Sequence, residues 1–121
     1  MRSKEDKQLL NVVHEDKFTI VTPELEHLDS HVAADFKNAF SELLKEDTHF
    51  MLLDLNRVTF MDSSGLAAIV FCFQLTNIND KLAICGAGER VMKLFELTQM
   101  QSVVRIFATK EEAVATLSKE A

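Results

Sequence analysis

The tetrad Asp62-Ser63-Ser64-Gly65 is the stretch of this chain whose residue types could support chemistry. Two apolar runs enclose it, residues 50–55 before it and residues 66–75 after it. The first run is typical of a strand covered on both faces. The second has Gln74 as its one polar side chain, which is typical of a helix buried on all sides. The tetrad is therefore expected where a central strand leads into a helix, at the sheet edge where α/β folds form sites.

Short oxygen-bearing side chains at such a place can act in two ways. As a cap, an oxygen of Asp62, Ser63 or Ser64 would accept a hydrogen bond from the first helical turn, worth about 1 kcal/mol. As a modification site, a serine hydroxyl facing solvent at the positive end of the helix could carry a phosphate. The helix dipole favours that phosphate by about 0.3–1 kcal/mol. The residue types alone leave both interpretations open.

Catalysis by the tetrad is not expected. A serine hydrolase needs glycine two positions before and two positions after its nucleophile, and around Ser63 these positions hold Met61 and Gly65. No histidine is placed by the sequence to act as the base. Asp54 and Asp62 could form a carboxylate site. However, Asp54 in an apolar strand is more simply explained by bonds to neighbouring backbone N–H groups.

Metal and cofactor sites are not predicted either. His27 and His31 are four residues apart among acidic residues, but Asp29-Ser30 resembles a helix start between them. Gly86-Ala87-Gly88 follows a strand pattern and invites a dinucleotide interpretation. The fingerprint needs a third glycine where Val91 stands, so we expect a glycine turn.

The composition indicates one globular domain of 121 residues, 47% of them hydrophobic. No apolar run approaches the 18 or so residues of a membrane span, and the charged N-terminus has no secretory signal, so we expect a cytoplasmic protein. The net charge of -6, with 13 basic residues scattered among 19 acidic ones, argues against nucleic acid or an anionic membrane as partner. Cys72 and Cys85 are expected to be reduced, buried thiols.

Periodicity and turn signals predict the remaining elements. Residues 1–8 are expected to be a flexible lead-in, and a hairpin should follow. A helix should begin near Asp29 or Ser30, and its predicted core face is Ala33, Phe36, Ala39, Phe40, Leu43 and Leu44. A turn is expected at residues 77–80 and a further helix at about residues 89–97. Thr109 and Glu112 form a capping box before the last helix. The predicted fold is α/β, a mixed, mostly parallel sheet of about five strands with about four helices. The predicted strands cover residues 9–14, 18–22, 50–55, 81–85 and 103–107.

The segment from Val58 to Leu66, VTFMDSSGL, resembles the signature of the STAS domain, the fold of bacterial anti-sigma factor antagonists. The resemblance runs from about Leu9 to Leu117, and VMKLFELT at residues 91–98 is similar to the third helix of the family. It implies that residues 1–121 form a single STAS-like domain. In that family the serine directly after the aspartate is phosphorylated by a partner kinase, and here that position is Ser63.

The resemblance also implies a function. The unphosphorylated surface around Met61, Asp62, Ser63 and Leu66 would dock on an anti-sigma factor that is also a serine kinase with an ATP-binding fold, and a client such as a sigma factor would be freed. The kinase would then modify Ser63, and a PP2C-type phosphatase would reset the switch. The predicted contact residues, with no cofactor or metal among them, are Met61, Asp62, Ser64, Gly65 and Leu66.

One segment departs from the family pattern. Many antagonists carry a glycine, an acid, an apolar residue and an aspartate after the second strand, where this chain has Pro23-Glu24-Leu25-Glu26. That loop is near the site in the family, so the identity of the partner is open. The resemblance also leaves two alternatives to the switch: a constitutive structural subunit of a lipid-transport ABC assembly, and a stressosome-like scaffold.

Overall fold

A mixed five-stranded sheet forms the centre of the computed structural model, which describes residues 9–15, 17–45, 50–76 and 82–120. Four α-helices, one turn of 3₁₀ helix at Met100–Ser102 and a second, two-stranded sheet complete the described part. The predicted lead-in of residues 1–8 and the turn of residues 77–80 lie outside the described residues. The elements in chain order are β1 (Leu10–Glu15), β2 (Phe18–Pro23), β3 (His27–Leu28), α1 (Ala33–Leu44), β4 (Phe50–Asp54), β5 (Phe60–Met61), α2 (Ser63–Thr76), β6 (Leu82–Cys85), α3 (Glu89–Leu97), β7 (Arg105–Phe107) and α4 (Lys110–Ser118).

The main sheet has the strand order β1-β2-β4-β6-β7. β1 and β2 form the predicted antiparallel hairpin, and all the other pairings are parallel. Side chains alternate between the two faces of each strand, so the apolar run of β4 supplies both sides of the sheet. Met51 and Leu53 pack with α1, α2 and α3, whereas Leu52 packs with Ala113 and Leu117 of α4. The predicted α/β fold with a mostly parallel sheet is confirmed.

α1 begins later than predicted. The first helical residue is Ala33, and neither Asp29 nor Ser30 caps the helix. Asp29 instead forms a turn, because its carboxylate accepts a hydrogen bond from the His31 N–H at 3.0 Å and its carbonyl accepts from the Ala33 N–H at 2.9 Å. The predicted core face is correct, since Phe36 and Phe40 of α1 are fully buried.

α2 is not buried on all sides as predicted. Its inner face carries Ala68, Ile69 and Cys72, but Phe71 and Leu75 remain 39% and 42% exposed. The ammonium group of Lys37 in α1 lies 4.9 Å from the centre of the Phe71 ring, which partly shields it. The uniformly apolar composition of α2 therefore leaves an apolar outer face. No helix in the described ranges has both the length and the apolarity that crossing a bilayer requires.

The last two helices follow their sequence signals. α3 covers residues 89–97, the predicted range, with Val91 and Phe95 buried. In the capping box of α4, the hydroxyl of Thr109 accepts from the Glu112 N–H at 3.0 Å. The Glu112 carboxylate accepts from the N–H of Ala108, one residue before the cap, at 3.2 Å. Both groups thus satisfy backbone donors that the helix itself cannot.

Candidate functional site

Asp62 is the residue that caps α2. Its carboxylate Oδ1 accepts a hydrogen bond from the Gly65 N–H at 3.0 Å, and its carbonyl accepts from the Leu66 N–H at 3.0 Å. Ser63 and Ser64 are consequently the first two residues of the helix. Of the three side chains that could have been the cap, the aspartate takes this role.

Ser63 is therefore available for other chemistry. Its side chain is exposed, and its hydroxyl has no hydrogen-bond partner among the described residues. It lies at the N-terminus of α2, where the unpaired backbone N–H groups and the helix dipole favour negative charge. Ser64 is half-buried, so Ser63 is the more accessible of the two hydroxyls.

A second, two-stranded sheet positions this helix start. β3 and β5 pair in parallel, with His27 opposite Phe60 and Leu28 opposite Met61. The carbonyl of Glu26 accepts hydrogen bonds from the Thr59 N–H at 2.8 Å and the Phe60 N–H at 3.1 Å. This sheet was not predicted from the sequence, because each of its strands has two residues and no alternating pattern. The segment of residues 24–32 between β2 and α1, here called the connector, therefore lies against the Ser63 segment, as the resemblance implied.

Gly65 is required by the close approach of these two segments. A Cβ atom built on Gly65 would lie 2.1 Å from the carbonyl oxygen of Leu28 and 3.0 Å from Cγ of Met61. The same Leu28 carbonyl accepts a hydrogen bond from the Asp62 N–H at 3.4 Å. The connector backbone thus occupies the space that any side chain at position 65 would need.

The predicted contact residues differ in exposure. Met61 is only 7% exposed and Gly65 is buried, so these two support the surface from beneath and present no side chain to a partner. Asp62, Ser64 and Leu66 are half-buried. Their contact with a partner stays a prediction.

Two aromatic side chains that are not among the predicted contact residues extend the exposed surface. Phe60 is 39% exposed, and the His27 ring packs edge-on against it with 5.6 Å between ring centres. The sequence shows that Phe60 belongs to the motif. It does not show that Phe60 is exposed, because that depends on the pairing of β3 with β5. Phe60 and His27 thus form an aromatic surface beside the segment that carries Ser63.

Asp54 belongs to the scaffold. It is 8% exposed, and its Oδ1 accepts a hydrogen bond from the Asn56 N–H at 3.1 Å, which confirms the predicted backbone bonding. Gly86 passes close to the same carboxylate with a φ of 74°, and a Cβ there would lie 2.5 Å from Asp54 Oδ1. The predicted glycine turn is confirmed.

The two histidines of the connector make separate contacts. His27 contacts Phe60, whereas Nδ1 of His31 lies 3.7 Å from the Asp29 carboxylate. Within the described ranges, no three His, Cys, Asp or Glu side chains are grouped closely enough to hold a metal ion.

Both cysteines are free and buried, and their chemistry can be tested directly. Burial raises the pKa of the Cys72 and Cys85 thiols to about 12, so almost no reactive thiolate exists at pH 8. We expect Ellman's reagent at pH 8 to label neither thiol in the native protein and both thiols in guanidinium chloride. Rapid labelling in native buffer would contradict this burial.

Comparison with known proteins identifies the family. The family model of the STAS domain matches residues 10–113 of this chain. The anti-sigma-B factor antagonist of Staphylococcus epidermidis is 31% identical over 80 residues, which cover 65% of this chain and 74% of that protein.

Solved structures share the architecture. A candidate anti-sigma factor antagonist from Thermotoga maritima superposes with a TM-score of 0.78 at 26% identity, over 90% of this chain and 94% of that chain. The Bacillus cell fate determinant SpoIIAA in its phosphorylated form superposes with a TM-score of 0.64 at 16% identity, over 89% of this chain and 98% of that one. The likeness to SpoIIAA concerns the fold alone. Taken with the family match, these features assign the chain to the STAS domain family.

Proposed function

We propose that this chain is an anti-sigma factor antagonist in a partner-switching system. In its unphosphorylated form it binds an anti-sigma factor that is also a serine kinase with an ATP-binding fold, and the client of that protein is released. Transfer of a phosphoryl group to Ser63 ends this binding, and a PP2C-type phosphatase restores the unphosphorylated form. The chain itself acts by binding and not as an enzyme.

The position of the Ser63 hydroxyl is the observation that carries this proposal. The hydroxyl is exposed at the positive end of α2, and the capping role that would otherwise account for a serine there belongs to Asp62. The names of the curated relatives, anti-sigma-B factor antagonists, support the same role.

Electrostatics explains why a phosphate would end the binding. A phosphate on Ser63 brings about -1.5 to -2 charges at pH 7, next to the carboxylate of Asp62. A partner surface that fits the neutral hydroxyl would have to desolvate this charge without a compensating contact. A hundredfold loss of affinity requires only about 2.7 kcal/mol. The helix dipole, worth about 0.3–1 kcal/mol, is too weak to offset such a loss.

Mapping the phosphorylated residue tests the proposal. The purified chain is incubated with magnesium ATP and a desalted lysate of its source cells, and phosphopeptides are identified by mass spectrometry. We expect phosphate on Ser63 in the wild type, none in Ser63→Ala, and an unchanged level on Ser63 in the matched control Ser118→Ala, which changes an exposed serine of α4. Equal incorporation into Ser63→Ala, or no incorporation into the wild type, would contradict the proposal.

A further inference from the structure

The two carboxylate oxygens of Asp62 hold two different parts of the chain. Oδ1 accepts from the Gly65 N–H within α2 at 3.0 Å, and Oδ2 accepts from the Ser30 N–H in the connector at 3.3 Å. The Asp62 N–H also donates to the Leu28 carbonyl at 3.4 Å. The residue directly before Ser63 is therefore bonded both to the helix that follows it and to the connector.

We infer that Asp62 is a positioning residue for phosphoryl transfer to Ser63, an inference that rests on the proposed function. In this transfer Ser63 Oγ forms a bond to the γ-phosphorus of ATP held by the kinase. The bond from that phosphorus to the β–γ bridging oxygen breaks, ADP leaves, and the hydroxyl proton passes to a base of the kinase. Such a reaction depends strongly on where the attacking oxygen is held.

Asp62 acts in this step through the backbone. No hydrogen bond joins the Ser63 hydroxyl to the Asp62 carboxylate, whose oxygens accept from the Gly65 and Ser30 N–H groups, so Asp62 is not placed to take the proton from Ser63. The helix bond fixes the direction of the first turn of α2, and the connector bond fixes where that turn lies on the domain. Without the connector bond, α2 would keep its cap and the β3–β5 pairing beneath it, and the Ser63 hydroxyl would be held less tightly.

The Asp62→Asn variant should keep the bond to the Gly65 N–H and lose the bond to the Ser30 N–H. The amide oxygen of asparagine can still accept from the Gly65 N–H, and asparagine caps helices about as well as aspartate. Its NH₂ group is a donor and cannot accept from the Ser30 N–H. Ser30→Ala is the matched control, because it removes an exposed side chain and keeps the backbone N–H that Asp62 binds.

Kinetics of Ser63 phosphorylation test the inference, with the serine kinase that the wild-type chain retains from its source lysate as the enzyme. We expect Asp62→Asn to lower kcat about tenfold or more, with KM within about twofold of wild type, because the hydroxyl is misplaced after docking. Ser30→Ala should match the wild type. Hydrogen exchange over residues 63–66 checks that the Asp62→Asn variant keeps its helix start.

The possible results are distinct. A wild-type kcat in Asp62→Asn would overturn the positioning role and leave the proposed function intact. An increase in KM alone would also overturn it, since Asp62 would then act in docking. Absence of phosphate on Ser63 in the wild-type chain would instead contradict the proposed function.

Discussion

Replacing Ser63 by aspartate is expected to weaken binding to the proposed partner kinase about a hundredfold, or about 2.7 kcal/mol. Ser63 is exposed at the start of α2, so the substitution leaves the fold intact and the change is confined to the surface. The new carboxylate lies next to that of Asp62, and a partner shaped for a hydroxyl would have to desolvate it. Titration calorimetry with the kinase retained from lysate measures the affinity.

Two matched variants separate charge from other effects of this substitution. Ser63→Asn has nearly the shape of Ser63→Asp without its charge, and it should bind within about tenfold of wild type if charge dominates. Ser118→Asp adds the same charge at an exposed serine of α4 and should bind like the wild type. Equal affinity of Ser63→Asp and wild type would contradict the switch. If the wild type and Ser63→Asp captured a lipid-transport ATPase equally well, the alternative of a constitutive structural subunit would be favoured.

Gly65→Ala is expected to destabilise the domain by about 1–3 kcal/mol or more, because the new methyl group overlaps the Leu28 carbonyl. The Cβ would lie 2.1 Å from that oxygen, which is backbone and cannot rotate away as a side chain would. Helix propensity alone predicts the opposite sign, since alanine is more favourable than glycine within a helix by about 1 kcal/mol. Urea unfolding distinguishes these two expectations: overlap with Leu28 would lower the midpoint urea concentration relative to wild type, whereas helix propensity would raise it.

Gly88→Ala is the matched control for this substitution. No atom lies within 4 Å of a Cβ built on Gly88, and its φ of -79° suits any residue. The free energy of unfolding of Gly88→Ala should stay within about 1 kcal/mol of wild type. Alanine stabilises the protein by restricting the unfolded chain, but it is a weaker N-cap than glycine, and the two effects largely cancel. If both variants were equally stable, the connector would not be packed against position 65 as described.

Local patterns in the sequence were sufficient for much of this architecture. The range of α3, the capping box of α4 and the buried strand β4 all follow from contacts between residues a few positions apart. The motif around Ser63 was also recognisable from residue types between an apolar strand and an apolar helix. Each of these features depends on the residues within it and directly next to it, so the local sequence is enough to predict it.

The tertiary structure decided what depends on distant segments. Three residues of the tetrad were equally plausible caps, and the choice of Asp62 became visible only with its bonds to Gly65 and to Ser30, 32 residues away in sequence. The late start of α1 and the exposure of Phe71 likewise depend on neighbouring segments.

Gly65 shows most clearly the difference between what the sequence determines and what only the tertiary structure decides. The sequence by itself determined that a glycine follows the two serines, and it left the reason for a glycine at this position open. The fold brings the Leu28 carbonyl against that glycine through the pairing of β3 with β5. A two-residue strand has no periodicity to reveal its partner, so this contact is set by the packing of the whole domain and not by any local pattern.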